Sequence, residues 1–276
     1  MKKILIVGGD RRQTELSAML KRKGYIVGIK GFEKLGLKDE IIKEPDYLFL
    51  PVPCLLPDGY IKAPYAKQPI ELKSVVCAYP DCKYVLGGCD DTVKEAFGGN
   101  IKYFDLLADD AFLVRNALLT AQAAVCAYLK QSYSALCDTH CAVVGYGRIG
   151  RLLCRLLAAH CAKVTATARK DCDVELIKAD GYNAMYTRDI ADVFFTADVI
   201  WNTVPANVID AEDFSSLRGG AQYIELASPP YGTDIKAAKS TGACVYLEQG
   251  LPGRYFPVSA ALAMLNVFER EEKDGP

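Results

Sequence analysis

The segment Ala142-Val143-Val144-Gly145-Tyr146-Gly147-Arg148-Ile149-Gly150 constrains this chain more than any other. An apolar run of strand length, Cys141 to Gly145, enters a G-x-G-x-x-G turn. A helical stretch from Arg151 to Ala159 leaves the turn, and a second apolar run, Val164 to Ala168, follows. That order is the strand–turn–helix–strand context of a dinucleotide fingerprint, which a bare glycine pattern lacks. Gly145 permits the tight turn, Gly147 lets the backbone approach a pyrophosphate, and Gly150 lets helix and strand pack closely. Tyr146, Arg148 and Ile149 complete the loop. A helix N-terminus there offers unpaired N–H groups and a partial positive charge to phosphates.

The second strand ends at Ala168-Arg169-Lys170, where a site for NAD ordinarily carries Asp or Glu on the ribose 2′-hydroxyl. A guanidinium suits a 2′-phosphate instead, so the sequence favours NADP over NAD. The alternative is that Arg169 is solvated and Asp171 or Asp173 reaches the ribose. Asn202-Thr203-Val204-Pro205 closes a later strand, and Gly250 lies in a turn after the last one. Strand carboxyl ends line the ligand crevice in such sheets, so both segments are expected at the cofactor.

The rest of the chain repeats the alternation of strand and helix. Strands are expected at Ile4–Val7, Tyr25–Ile29, Tyr47–Pro51, Lys83–Leu86 and Ile101–Phe104. In the second half they are expected at Val199–Thr203, Tyr223–Leu226 and Val245–Leu247. Such alternation predicts an α/β fold with parallel sheets. Three segments are expected. Residues 1–130 form a smaller N-terminal α/β substrate domain ending in a linker helix capped by Asp109 and Asp110. Residues 131–252 form the Rossmann-type domain, and 253–276 form a C-terminal helix that returns to complete the first domain. Pro51 to Pro69, with five prolines and Gly59, reads as a surface loop.

Composition narrows the partners. The chain has 276 residues, enough for two domains, with 51% hydrophobic and 24% charged residues and a net charge of -1. Nucleic acid and acidic membranes call for a basic surface that this balance does not supply. The apolar run Ile4 to Val7 ends at Gly8-Gly9-Asp10, short of a signal peptide. No stretch is expected to approach a membrane span of roughly 18 apolar residues. The 11 cysteines include no C-x-x-C pair. They are expected as buried small hydrophobes in a reducing cytoplasm, with no metal site.

Histidine is scarce. His140 precedes a strand and His160 ends a helix, both at the sheet edge opposite the expected crevice, so neither is expected in catalysis and no general acid or base is assigned. Cations for an anionic substrate are available. Gly8-Gly9-Asp10-Arg11-Arg12-Gln13 is a turn entering a helix, where Arg11 or Arg12 suits a carboxylate. Arg115, Asn116 and Thr120 interrupt the apolar linker helix, the last two on one face by their i,i+4 spacing, and Arg254 follows the Gly250 turn. Each also reads as a solvated charge or a helix's wet side.

Gly8-Gly9-Asp10-x-Arg12-Gln13, Asn116-x-x-x-Thr120, the glycine fingerprint, Asn202-Thr203-x-Pro205, Leu226-Ala227-Ser228, Gly232-Thr233-Asp234 and Gly250-Leu251-Pro252-Gly253 together resemble the dipicolinate synthase A-subunit family over nearly the whole chain. The sequence departs from that pattern at Gln122, Pro229, Tyr231, Val258 and Ser259. The resemblance implies a nicotinamide-dependent sporulation enzyme making dipicolinate from dihydrodipicolinate or its hydrated precursor. It also implies the flavoprotein-like dipicolinate synthase B-subunit as partner and a small dicarboxylate as substrate; a homo-oligomer is compatible with it. Two other readings stand beside it: a dehydrogenase of another small keto or amino acid, and an NAD(P)-binding sensing protein without chemistry.

Overall fold

Two parallel sheets account for the alternation of strands and helices. The computed structural model describes residues 1–56, 58–99 and 101–274. It divides into a first unit, Met1–Asn116 with Pro252–Pro276, and a second, Ala117–Leu251. Of the expected 51–69 loop, Pro57 lies outside the described residues. The rest of that loop is not wholly superficial, since Val52, Cys54 and Ile61 are buried in the first unit.

In the first unit the strands are β1 (Lys3–Val7), β2 (Ile26–Lys30), β3 (Tyr47–Phe49), β4 (Lys83–Leu86) and β5 (Tyr103–Asp105). They run parallel in the order β2-β1-β3-β4-β5. Successive side chains of a strand point to opposite faces, and here both faces are covered. Ile4 and Ile6 of β1 pack with Leu16 and Leu20 of helix α1 (Arg11–Arg22). Leu5 and Val7 pack on the other face with Leu72, Val75 and Val76 of α2 (Leu72–Ala78); α3 (Asp91–Phe97) adds Val93 and Phe97 there. The C-terminal helix, Pro257–Asp274, lies against α1 in this unit. Its Phe268 meets Tyr47 and Phe49 edge-on at 4.9 and 5.0 Å, and Lys2–Glu272 and Lys23–Glu269 ion pairs border it.

Helix α4 (Asp110–Leu129) is capped by Asp109, which accepts from the Phe112 amide at 2.7 Å. Contrary to the sequence expectation, it is long and apolar enough to cross a membrane. More than half of that apolar stretch is buried inside the protein, as in a core helix. Its buried residues include Phe112, Leu119 and Val125 together with alanines at 117, 121, 123, 124 and 127.

The second unit holds β6 (His140–Val144), α5 (Arg148–Ala159), β7 (Lys163–Ala168), α6 (Asp171–Ala179), β8 (Asn183–Tyr186), α7 (Ile190–Thr196), β9 (Val199–Asn202), β10 (Gln222–Glu225), α8 (Ile235–Ser240) and β11 (Cys244–Leu247). The sheet order is β11-β10-β9-β6-β7-β8, all parallel, which is the 3-2-1-4-5-6 order of a Rossmann sheet read from the other edge. Three expectations are corrected. The helix after the glycine turn starts at Arg148, not Arg151, because Gly147 already accepts from Arg151 N as its first carbonyl. The Gly250–Arg254 turn contains a short helix, α9 (Leu251–Tyr255), which makes Pro257–Asp274 α10. Cys54, Cys82, Cys141 and Cys154 are buried, but Cys77, Cys137, Cys161, Cys172 and Cys244 are exposed, and all are free thiols.

Candidate functional site: two switch points

A parallel sheet opens a ligand crevice where its strand order reverses, outside the carboxyl ends of the two central strands. In the second unit that point lies between β6 and β9. Gly145 leaves β6 with φ +92°, and a Cβ there would sit 2.6 Å from Val204 Cγ2 and 2.8 Å from Thr203 Oγ1. Gly150 packs so tightly on the Gly145 carbonyl oxygen that a side chain has no room. Gly147 is different: a Cβ would meet nothing within 4 Å, so the backbone faces open space at the head of α5. No side chain caps α5, which leaves its first N–H groups turned outward. A cradle of this kind fits a pyrophosphate.

The neighbouring residues divide by role. Thr203 donates its hydroxyl to the Val144 carbonyl at 2.9 Å, tying the end of β9 to the glycine turn. Asn202 is fully buried; its Nδ2 donates to the Val204 carbonyl (3.0 Å) and Glu225 (2.7 Å), while its Oδ1 accepts from Val204 N. These two side chains brace the crevice from behind, while Val204 is half-buried and Pro205 exposed. Tyr146 donates to Asp180 at 2.7 Å from a buried ring, again bracing the loop. Arg148 is exposed beside Gly147, and Ile149 is half-buried in the first turn of α5.

At the end of β7, Ala168 is buried and Arg169 and Lys170 are exposed. Ala168 is in register with Tyr186 of β8, over whose ring the Arg188 guanidinium lies at 4.1 Å. Tyr186 in turn donates to Asp171 at 3.1 Å. Gly250 has φ +62°, and the preceding Gln249 donates to the Ala227 carbonyl at 2.6 Å.

Glu225 went unnoticed in the sequence. It is fully buried with no cation paired to it among the described residues, and it accepts four hydrogen bonds: Asn202 Nδ2 and Ala227 N on Oε1, Tyr223 hydroxyl and Gly232 N on Oε2. Burial raises its pKa, and these donors partly offset the rise. The available signal was an acid inside the apolar run Tyr223-Ile224-Glu225-Leu226, which must be internally partnered if the run is a central strand.

In the first unit the switch point lies between β1 and β3. Asp10 caps α1, accepting from Arg12 N at 3.0 Å, and Gln13 completes the reciprocal cap by accepting from Asp10 N at 2.9 Å. The structure separates the two adjacent arginines. Arg11 is exposed, whereas Arg12 is only 5% exposed and its fork grips Asp10, Nε to Oδ1 at 2.9 Å and Nη2 to Oδ2 at 2.8 Å. Nη2 also reaches the Val52 carbonyl beyond β3 at 2.7 Å. The Arg12 guanidinium holds the Asp10 carboxyl below its usual range despite burial. Arg115 is exposed and Asn116 half-buried on α4; Thr120, in the second unit, is buried. Arg254 is exposed, its guanidinium 5.6 Å from the Tyr255 ring centre.

Both histidines lie away from the crevice of the second unit. His140 opens β6, roughly 17 Å along the strand from Gly145 at about 3.3 Å per residue, and bonds Thr196 O and Thr165 Oγ1. His160 follows the last turn of α5 and bonds Leu156 O.

These crevices and sheets define a class. Residues 115–228 match the model of the D-isomer specific 2-hydroxyacid dehydrogenase NAD binding domain, so this part of the chain is a dehydrogenase-like, nicotinamide-binding α/β domain. The particular relationship is to the A-subunit of dipicolinate synthase. Residues 3–107 match the model of that protein's N-terminal domain. The chain is 26% identical to the dipicolinate synthase A-subunit of Bacillus subtilis, across 97% of this chain and 95% of the relative. The crystal structure of the Bacillus halodurans A-subunit superposes with a TM-score of 0.86 at 25% identity, covering 100% of this chain and 98% of the other. Its Bacillus subtilis counterpart gives 0.82 at 25% identity, covering 99% and 96%.

Proposed function

We propose that the chain oxidises dihydrodipicolinate, or its hydrated precursor, to dipicolinate with NADP. The observation that carries this reading is the open Gly147 cradle at the head of an uncapped α5, in a chain similar to the dipicolinate synthase A-subunit from end to end. Gly145, Gly147, Gly150 and the first N–H groups of α5, with Tyr146, Arg148 and Ile149 in the same loop, hold the pyrophosphate. The backbone of 202–205 and Gly250 border it. Ala168, Arg169 and Lys170 take the ribose end, where Arg169 meets the 2′-phosphate. The absence of an acid at the end of β7 and the engagement of Asp171 with Tyr186 support NADP over NAD.

A nicotinamide held here would supply a hydride acceptor. Dihydrodipicolinate gives up a hydride with the electron pair of one C–H bond and releases one proton, so the product ring is aromatic and the electrons balance; the hydrated precursor loses one water as well. Aromatisation supplies driving force, which lessens the need for a strong general base; the proton passes to water or to the substrate itself. The protein's part is then position and charge. Arg11, Arg12, Arg115, Asn116, Thr120 and Arg254 are the residues we assign to the small dicarboxylate. We further propose that the chain works in the cytoplasm with a B-subunit, as the relatives' designation as the A-subunit of a synthase suggests.

The test is turnover with freshly generated dihydrodipicolinate, with and without the B-subunit. Reduced nicotinamide should accumulate faster with NADP than with NAD. Tight NADPH binding without turnover in either mixture would point to a sensing protein, and turnover of another keto or amino acid instead would reassign the substrate.

A further inference from the structure

We propose that Lys62 and Arg12 form an anion site at the switch point of the first unit, that the site takes one carboxylate of the small acid substrate, and that Asp10 positions Arg12 for it. This deepens, and rests on, the reading of the chain as an enzyme of a small dicarboxylate.

The site is built from three pieces of backbone. The Arg12 guanidinium spans the ends of β1 and β3 through Asp10 and the Val52 carbonyl. Three of its five N–H groups are thereby used, and Nη1 has no hydrogen-bond partner among the described residues. Lys62 enters from the loop after β3. Its backbone is pinned on both sides, N–H to the Cys54 carbonyl at 2.9 Å and carbonyl to Gly9 N at 2.8 Å. Gly8 keeps this loop close: a Cβ there, at φ +68°, would stand 2.9 Å from Ile61 and 3.1 Å from Ala63. Gly253 presses on the other side of Asp10, where a Cβ would come within 2.5 Å of Oδ2.

Charge decides what the site lacks. The half-buried Lys62 ammonium makes no hydrogen bond or ion pair among the described residues, and the charged groups acting on it are Arg12 and Asp10. Two cations against one carboxylate leave one positive charge in a desolvated setting, which is costly without an anion. Burial first, and then Arg12, lower the Lys62 pKa. At the same turn the Nε2 of fully buried Gln13 also lacks an acceptor. A carboxylate matches one residual charge, whereas a phosphate at about −1.5 to −2 overfills it. A planar Nη1 edge beside a point charge is enough for one carboxylate.

The experiment is titration of the NADPH-loaded chain with dipicolinate, for wild type, K62M and K62R. K62M should weaken dipicolinate about tenfold or more, the worth of one charged contact, and K62R should restore most of it. NADPH affinity should stay unchanged in all three, and thermal melts that match wild type should show that the first unit of each variant is folded. In wild type, dipicolinate affinity should fall as pH rises, beginning below the ordinary lysine range, while Asp10 stays ionised; a guanidinium at position 62 does not deprotonate, so K62R should remove that fall. Equal dipicolinate affinity in wild type and K62M would overturn the inference. If wild type ignores dipicolinate but binds pyruvate in a Lys62-dependent way, the anion site stands and the dipicolinate reading falls. Binding of neither acid would overturn the site.

Discussion

Asn202 and Glu225 are register partners on β9 and β10, joined by an Nδ2–Oε1 hydrogen bond of 2.7 Å with both residues fully buried. The pair converts the end of the sheet into a fixed support for the cofactor crevice. Asn202 holds the Val204 backbone, and Glu225 gathers the amides of Ala227 and Gly232. Each Glu225 oxygen accepts twice. E225Q therefore turns one oxygen into a donor facing a donor, and strands a buried N–H such as that of Gly232. We predict a loss of about 1–3 kcal/mol in unfolding free energy, read by denaturant titration, even though the substitution removes a buried charge.

The same carboxyl sets a pH dependence. Burial raises its folded pKa above the unfolded value, so the folded state binds this proton more tightly. Its contribution is fully present below the unfolded pKa and disappears as pH rises through the folded one. Stability measured from neutral toward mildly acid pH should include a favourable increment that E225Q lacks; parallel curves for the two proteins would show that Glu225 does not titrate there.

Glu272 works in the opposite sense. Hydrogen bonds from Lys2 and Tyr25 depress its pKa against the effect of burial, so it stabilises the first unit above the unfolded carboxylate range and stops doing so as pH falls through its folded value. E272Q should cost on the order of 1 kcal/mol at neutral pH. The difference from wild type should vanish in acid, a convergence visible in melting curves taken across pH.

The glycines of the turn should separate fold from ligand. A methyl at position 150 meets the Gly145 carbonyl, so G150A should lower stability by about 1–3 kcal/mol. A methyl at 147 meets only open space. G147A should melt like wild type yet bind NADPH much more weakly, and unchanged NADPH affinity in G147A would remove the cradle from the account.

Arg169 is the specificity prediction. R169A should weaken NADP far more than NAD, by about tenfold or more, because only NADP carries the phosphate that the guanidinium meets. Equal losses for both cofactors, in parallel binding titrations, would return the ribose to Asp171 or Asp173.

Strong periodic segments were legible in the sequence, and so was the glycine turn, because strand, turn and helix each left a separate signal there. β8 was not: Asn183-Ala184-Met185-Tyr186 lacks β-branched residues and is only half-buried, so nothing in it marks a strand until β7 pairs with it. Arg12 read as a free clamp because its partner is two residues away; the Asp10 and Gln13 spacing of a capping box was the clue that Asp10 faces inward. Lys62, in a proline-rich loop, resembles any solvated lysine until tertiary structure pins it beside Gly9. Glu225 shows the same limit in part, since Tyr223 and Ala227 are close in sequence but the Asn202 donor comes from another strand and Gly232 from the far side of a turn.

The most direct test of the central claim is stoichiometry. With dihydrodipicolinate, NADP and the B-subunit all present, dipicolinate by chromatography and NADPH by absorbance should appear in equal amounts. Dipicolinate formed without matching NADPH, or NADPH formed without dipicolinate, would contradict the assignment of hydride transfer to this chain.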